Sequence, residues 1–382
     1  MRSSVPDPVT VLGALSGLGW AAFAVRGLAG LRDAPPLPPL EPATAPVERV
    51  RVVLAARDEE AALRRTLDGL RAQRGVALEI VAVDDRSIDD TPALLATAAA
   101  ADDRIRTLRV DAVPAGWLGK CHACWAGARA EGPRPDWLLF LDADSWLGPD
   151  TIARAVQTAR RTEADHLCLL PQLAGQSFVG RTVTLAMSFG LFQQALGLER
   201  NRRSAYVGVG AFQLFRAEAY DALGGHEAVR LEVVEDIALA RRARRHGLRS
   251  RLRFAVDAFE VRWITDLPSV FTVLAKNYFA LLGYRTLLAA LLVGGGLSAF
   301  ALACATPAGL AGLGVFAAAS LPIARRYRWS PLHALLAPAA IPCVLATMAW
   351  SACRTLWAGG VTWRGSFHPL AELRGFDRAT TR

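Results

Sequence analysis

The sequence predicts an α/β domain built on a mostly parallel, Rossmann-like sheet and flanked on its N- and C-terminal sides by membrane-spanning helices. Three observations lead there. Between Arg49 and Asp144, apolar runs that end in acidic residues alternate with helical stretches. Such runs read as strands buried on both faces, the pattern of a parallel sheet with right-handed crossovers. Val9–Val25 is nearly uncharged, and no Asp or Glu occurs from Leu267 through Ala371. At 52% hydrophobic over 382 residues, the chain is long enough for one globular domain plus membrane segments.

Taken in order, Val9–Val25 is followed by Arg26 and Arg32. The n-region is thin, and no small-residue cleavage site precedes the Pro-rich stretch Pro35–Pro46. This reads as a retained anchor over 1–32 with a linker over 33–47. The middle domain is expected over 48–266. Arg49–Ala56 is its first strand, followed by a helix over Ala61–Arg74 with Leu63, Leu67 and Leu70 on one face. Leu78–Val83 is the second strand. Thr91-Pro92 opens the next helix, with proline at its favoured early position. Ile105–Val110 and Trp137–Leu141 complete the predicted strands.

A membrane region is expected over 267–357. Thr286–Cys304 and Ala308–Ile323 are apolar runs split by Thr306-Pro307, and Leu332–Cys353 is interrupted by Pro338 and Pro342. Gly and Pro are tolerated in membrane helices. The positive-inside rule puts Arg325-Arg326-Tyr327-Arg328 in the cytoplasm, and Arg26 and Arg32 place the middle domain there too. For a bacterial chain this means the inner membrane. Four simple crossings leave the tail, 358–382, outside; a re-entrant third run returns it inside. Both stay open at this stage.

The net charge of +9 fits attraction to anionic lipid. No basic patch with aromatic platforms occurs, which argues against a nucleic-acid partner. Six cysteines are scattered; Cys121 and Cys124 have C-x-x-C spacing without a second pair, which argues against zinc and fits a reduced compartment.

Acidic residues cluster after three strands: Asp58–Glu60, Asp84–Asp85 and Asp142–Asp144. Each alone reads as a cap or solvated turn, as Asp89/Asp90 before Thr91-Pro92 does. Together they line one crevice beyond the carboxyl ends of the strands. Carboxylates there suit ribose hydroxyls and base N–H groups. The Asp142-Ala143-Asp144 pair suits a divalent metal, Mg²⁺ or Mn²⁺, holding a diphosphate. P-loop and G-x-G-x-x-G signatures are missing, which disfavours a Walker ATPase or a dinucleotide oxidoreductase.

These residues resemble family 2 glycosyltransferases of the GT-A fold. Ala56-Arg57-Asp58-Glu59-Glu60 resembles the first-strand motif, with Asp58 where Asn is usual. Val83–Thr91 resembles V-D-D-x-S-x-D-x-T, Asp142–Asp144 is the D-x-D, and Glu235-Asp236 resembles the E-D motif. The resemblance implies donor binding by Ala56, Arg57, Glu59, Asp84, Asp85, Lys120, Asp142 and Ala143. It also implies metal binding by Asp142 and Asp144, and catalysis by Asp236 as general base with Glu235 beside it. Gly116-Trp117-Leu118-Gly119-Lys120 resembles the G-W-x-G-K of hopanoid-associated and carotenoid-type members. In that setting the two cysteines merely start a helix. Trp363-Arg364-Gly365 resembles a W-[KR]-G-R element, with Ser366 in the last place. Processive polysaccharide synthases carry Q-x-x-R-W; here Arg262-Trp263 is present, but Phe259 replaces the glutamine.

Val207–Gln213 reads as a glycine-bearing loop on the acceptor side, with Gly210 and Gln213 joined by Arg262 and Trp263. Arg181–Arg203 is apolar at helical spacing with basic ends; it fits an interfacial helix or a core helix about equally. His226 reads as structural and stays out of the metal set. The expected activity is inverting sugar transfer from a nucleotide-sugar donor, UDP-linked, to a lipid-like acceptor (isoprenoid, hopanoid or carotenoid-like) at the cytoplasmic face. The alternatives are a polyprenyl-phosphate acceptor and a metal-dependent nucleotidyltransferase.

Overall fold

In the computed structural model, residues 7–42 and 47–381 are described; positions 43–46 of the expected linker lie outside them. Helix α1 (Pro8–Gly30) comes first, capped by the Asp7 side chain. Strand β1 (Arg49–Ala56) follows. Val50, Val52, Leu54 and Ala56 face one core and Val53 the other, which is why the run is continuously apolar. Buried Arg51 is compatible with this because Glu79 pairs with it at 2.9 Å and the carbonyls of Ala128, Ala130 and Pro133 accept its remaining N–H groups. Helix α2 (Glu60–Arg71) buries Leu63, Leu67 and Leu70.

Then come β2 (Ala77–Asp85), α3 (Thr91–Ala101), β3 (Ile105–Val110), α4 (Gly119–Ala128), β4 (Trp137–Asp142), β5 (Ser145–Leu147) and α5 (Thr151–Arg161). Strands β6 (His166–Leu170) and β7 (Gln172–Leu173) lead into α6 (Phe178–Ala195). Strand β8 (Gln213–Arg216), α7 (Ala217–Ala222), α8 (Glu235–Arg245), β9 (Ser250–Phe254) and β10 (Phe259–Val261) complete this part.

The main sheet has the order β3-β2-β1-β4-β8-β6-β9. All its pairings are parallel except those of β8, which runs against β4 and β6. One core packs side chains of α2, α3 and α5 against the sheet, and the other packs those of α4, α7 and α8. Register brings the strand ends level, with Ala56 opposite Asp84 and Ala55 opposite Asp142. The first three acidic clusters therefore share one sheet edge at the β1/β4 switch point. A small sheet, β5-β10-β7, sits beside the D-x-D turn.

Helices α9 (Leu267–Leu274), α10 (Asn277–Leu281), α11 (Thr286–Cys304), α12 (Pro307–Arg326), α13 (Pro331–Leu336) and α14 (Ile341–Ala358) follow, with a 3₁₀ turn at Ala337–Ala340 separating α13 from α14. Pro338 and Pro342 account for that break. A ribbon of β11 (Gly360–Trp363) and β12 (Ser366–Pro369) precedes α15 (Leu370–Thr381).

The chain divides into two compact units. One holds the chain up to Asp33, Gly175–Leu196 and Trp263–Val361; the other holds Ala34–Ala174, Gly197–Arg262 and the chain from Thr362. Among the described residues of the first unit, four segments are long and apolar enough to cross a membrane: Pro8–Asp33, Thr286–Cys304, Pro307–Arg326 and Pro331–Ala358. Leu287 and Leu291 of α11 are 74% and 63% exposed, an outward apolar face suited to lipid tails and not to water. Glycines let α1 and α12 touch backbone to backbone, since a Cβ on Gly17 would lie 2.6 Å from the Gly309 Cα. Helix α6 packs with α1, α12 and α13 in this unit.

Candidate active site

The loop after β1 is stitched to the loop after β2. Asp58 N–H donates to Ser87 Oγ at 3.0 Å, Glu59 N–H to Thr91 Oγ1 at 2.8 Å, and Ile88 N–H to Asp58 Oδ1 at 2.9 Å. Asp58 has φ 55°, a left-handed conformation that Asp and Asn tolerate best, which is a physical reason for either residue there. Asp89 accepts from Thr91 N–H and Glu60 N–H, so of the two aspartates before α3 it makes the turn contacts. Asp84 is buried, accepting from Ser87 N–H and pairing with Arg109 at 2.7 Å. Asp85 is buried beside Arg86 at 2.8 Å, and it packs so tightly on α4 that a Cβ on Gly119 would meet its Oδ2 at 2.4 Å.

Two side chains hold the D-x-D turn. Thr66 Oγ1 donates to the Ala143 carbonyl at 2.6 Å, and Ser145 Oγ donates to the Ala211 carbonyl at 2.9 Å. The second bond ties the turn to the Val207–Gln213 loop. Lys120, at the start of α4, places Nζ 2.6 Å from Asp142 Oδ1 and 2.7 Å from Glu235 Oε1. Burial works against its charge, but the two carboxylates outweigh it and hold the ammonium well above the usual lysine range.

Asp236 accepts from Gly210 N–H and Ile237 N–H, both at 2.8 Å. A Cβ on Gly210 would meet Asp142 Oδ2 at 3.3 Å and Asp236 Oδ2 and Lys120 Nζ at 3.4 Å each, so these three groups converge on one point. Burial and the neighbouring Glu235 push the Asp236 carboxyl up to about 6. Burial, with the carboxylates of Asp142 and Glu59, pushes Asp144 up to about 7. Among the described residues no three His, Cys, Asp or Glu side chains gather into a ready-made metal cage.

Gln213 is buried, not open to an acceptor: its amide donates to the Asp236 carbonyl at 3.0 Å and to His166 Nε2 at 3.1 Å. His166 Nε2 is then an acceptor, so its Nδ1–H faces Ser250 Oγ at 3.1 Å. This buried chain braces the Asp236 backbone from below. Arg262 is exposed and leaves β10 next to Val261, which pairs with Ser145, so it emerges on the side of Asp144. Trp263 is 37% exposed. His226 is buried against the Tyr220 hydroxyl at 2.8 Å, and burial pushes it down to about 3. Cys121 and Cys124 are buried in α4, and burial pushes both thiols up.

A residue far along the chain, outside the sequence-derived site set, also reaches this edge. Arg364 Nη2 meets Glu59 Oε1 at 2.5 Å, and its Nη1 donates to the Arg57 carbonyl. Its signal in the sequence is the Trp-Arg-Gly-Ser turn.

Comparison with known proteins agrees with this geometry. Residues 51–224 match the glycosyl transferase family 2 profile. That segment resembles a family 2 glycosyltransferase domain. It is 36% identical over 121 residues to a succinoglycan biosynthesis protein, ExoO, of Rhizobium meliloti, covering 31% of this chain and 32% of that one. It is 23% identical over 191 residues to 4,4'-diaponeurosporenoate glycosyltransferase of Staphylococcus aureus, covering 49% of each. The chain thus spans about a third and about half of the lengths of these relatives. In fold, this chain is similar to the mannosyltransferase PcManGT of Pyrobaculum calidifontis, solved with GDP-mannose and Mn²⁺. The TM-score is 0.55 at 17% identity, over 92% of this chain and 98% of that one. The mixed, mostly parallel sheet is GT-A-like, as expected.

The glycine before the convergence point yields a prediction. A Cβ on Gly208 would lie 2.2 Å from the Asp236 carbonyl carbon and oxygen, so Gly208→Ala must displace the Asp236 backbone. Overpacking of this kind costs roughly 1–3 kcal/mol. The expected outcome is a lower thermal unfolding midpoint in detergent together with lost turnover; wild-type behaviour in both would show that the backbone here is free to move.

Proposed function

We propose that the protein is a membrane-bound glycosyltransferase that moves a sugar, with inversion, from a nucleotide-sugar donor to a lipid-like acceptor at the cytoplasmic membrane face. The convergence of Asp142, Asp236 and Lys120 around Gly210, within a family 2 domain, carries this reading. A UDP-linked donor is the starting choice.

The acceptor hydroxyl attacks the anomeric carbon while Asp236 takes its proton; the bond from that carbon to the phosphate oxygen breaks, and its electron pair leaves with the nucleoside diphosphate. Burial and Glu235 raise Asp236 against the pull of Lys120, which pairs with Glu235 and Asp142, so Asp236 keeps a basicity suited to proton transfer. Glu59 and Asp85 face the nucleotide end.

Asp142 and Asp144 would hold a divalent metal, Mg²⁺ or Mn²⁺. The donor set fits: it offers hard carboxylate oxygens, and burial with the charges of Asp142 and Glu59 pushes Asp144 up to about 7, a site that favours a cation. When bound, the metal supplies charge neutralisation to the leaving diphosphate.

Apolar segments joined to the domain support an acceptor that lives in the bilayer. The chain leaves the catalytic unit after Arg262 and rejoins it at Thr362, which favours an even number of crossings between. With α11 and α12 crossing fully, our reading of the broken α13–α14 run is a re-entrant segment that returns the tail to the side of the domain.

The test is donor turnover by protein in detergent with Mn²⁺ or Mg²⁺, offered UDP- and GDP-sugars plus total bacterial lipid. Metal-dependent nucleoside diphosphate release with a new glycolipid is expected. Pyrophosphate release from a nucleoside triphosphate instead would make the protein a nucleotidyltransferase.

Metal affinity should follow pH. Asp144 carries a proton below about pH 7, and a metal must displace it. Mn²⁺ affinity is therefore expected to be full above pH 7 and to fall about tenfold per unit below it. Mn²⁺ titration by EPR at pH 8, 7 and 6 checks this; equal affinity at all three overturns it.

A further inference from the structure

The C-terminal tail touches the catalytic unit at two separate places. At its far end, the Phe376 ring lies 5.2 Å from the Arg230 guanidinium, and Asp377 Oδ1 lies 3.9 Å from Arg241 of α8. These contacts anchor α15 near the segment that leads into the Glu235-Asp236 helix. Arg230 in turn accepts a backbone hydrogen bond from Leu118 N–H at 2.8 Å, within the Gly-Trp-Leu-Gly-Lys loop. At its near end, the β11–β12 turn brings Arg364 to the loop after β1. One guanidinium there engages two groups of that loop, the Arg57 carbonyl and the Glu59 carboxylate.

The turn is built for this reach. Arg364 itself sits at φ 46°, a conformation that costs energy for a residue with a Cβ, and Gly365 follows at φ 80°. A Cβ on Gly365 would lie 3.4 Å from Arg57 Nη2, so the turn packs directly on the Arg57 side chain. A tail that needed only anchoring already has α15. A strained arginine spanning two groups of the nucleotide-facing loop does something more: it sets where Glu59 points.

We propose that Arg364 is a positioning residue of the donor site, holding the Arg57–Glu59 loop in the conformation that receives the nucleoside diphosphate, so that the C-terminal tail completes that site. This rests on the glycosyltransferase reading above. Arginine suits the role because its planar fork serves both acceptors at once; lysine, a point charge, serves one.

The test uses the full chain in detergent with Mn²⁺. UDP and GDP binding are measured by calorimetry, and donor kinetics are run on wild type, Arg364→Ala and Arg364→Lys. Losing a charge-assisted contact that orders the loop should raise the diphosphate Kd and the donor KM on the order of tenfold in Arg364→Ala. The kcat should stay within about twofold, because the reacting groups are untouched. Arg364→Lys should recover part of the loss, and the unfolding midpoint should hold because α15 still anchors the tail. Wild-type turnover with unchanged Kd and KM in Arg364→Ala would overturn this proposal alone, as would a loss confined to kcat. A wild type that binds neither diphosphate would overturn the glycosyltransferase reading, and the role of Arg364 with it.

Discussion

Replacing Asp236 by asparagine should stop transfer to a hydroxyl acceptor while donor binding persists. The substitution keeps size and leaves one amide oxygen for Gly210 N–H, which now meets the carboxylate at 2.8 Å, while Ile237 N–H loses its acceptor. What it removes is the proton acceptor. General-base catalysis contributes about 10²–10⁴-fold, so kcat should fall by roughly 10³ with little change in donor KM. Burial and Glu235 raise the Asp236 carboxyl to about 6 against the pull of Lys120. Above that pH the carboxylate is ionised and competent; as pH falls through 6 it protonates and the wild-type rate should drop. The variant should lack this acid limb. Initial rates of glycolipid formation from pH 5 to 8 check both expectations. A kcat within tenfold of wild type would mean that the nucleophile needs no base, as for a phosphate acceptor.

Much of this site was legible because its chemistry sits where strand grammar ends. A strand buried on both faces must be apolar, so the switch from Leu141 to Asp142, or from Val83 to Asp84, marks the sheet edge. What local pattern lacks is partner identity. Lys120 reads as a phosphate ligand or a surface lysine; only the fold shows it bridging Asp142 and Glu235. Gln213 sits in a glycine-bearing loop and suggests an acceptor contact, yet it opens β8 and turns inward, because the Asp236 carbonyl and His166 need a buried donor. Strand β8 itself was missed: it has four residues, and it enters the sheet antiparallel with no crossover helix to announce it. Arg364 lies 305 residues from Glu59, and no periodicity links positions so far apart.

Asp142→Asn should abolish turnover and, in the same protein, leave metal-free stability equal or higher. The two signs come from one cause. Asp142, Asp144, Glu235 and Asp236 crowd a single edge, and Lys120 pairs with only two of them. The charge on Asp142 is among the causes that push the Asp144 carboxyl up, after burial itself. Asparagine relieves that repulsion, which favours the folded state wherever both acids would be ionised. The same removal takes away half of the hard-oxygen pair for a divalent cation. It also frees Lys120 to pair with Glu235 alone, drawing its charge away from the diphosphate. Loss of a ligating carboxylate should weaken Mn²⁺ binding by a hundredfold or so, or more, since removing even outer-shell partners costs about 10–100-fold. With the leaving group's charge uncompensated, turnover should fall by at least about 10³. Thermal unfolding without metal, Mn²⁺ titration and donor turnover on one preparation test all three arms. A variant that loses activity but also unfolds several degrees lower would show that Asp142 holds the fold together and that its loss of function is indirect. The opposite pairing, activity gone and stability kept or gained, is what a charge cluster maintained for chemistry at the expense of stability must produce.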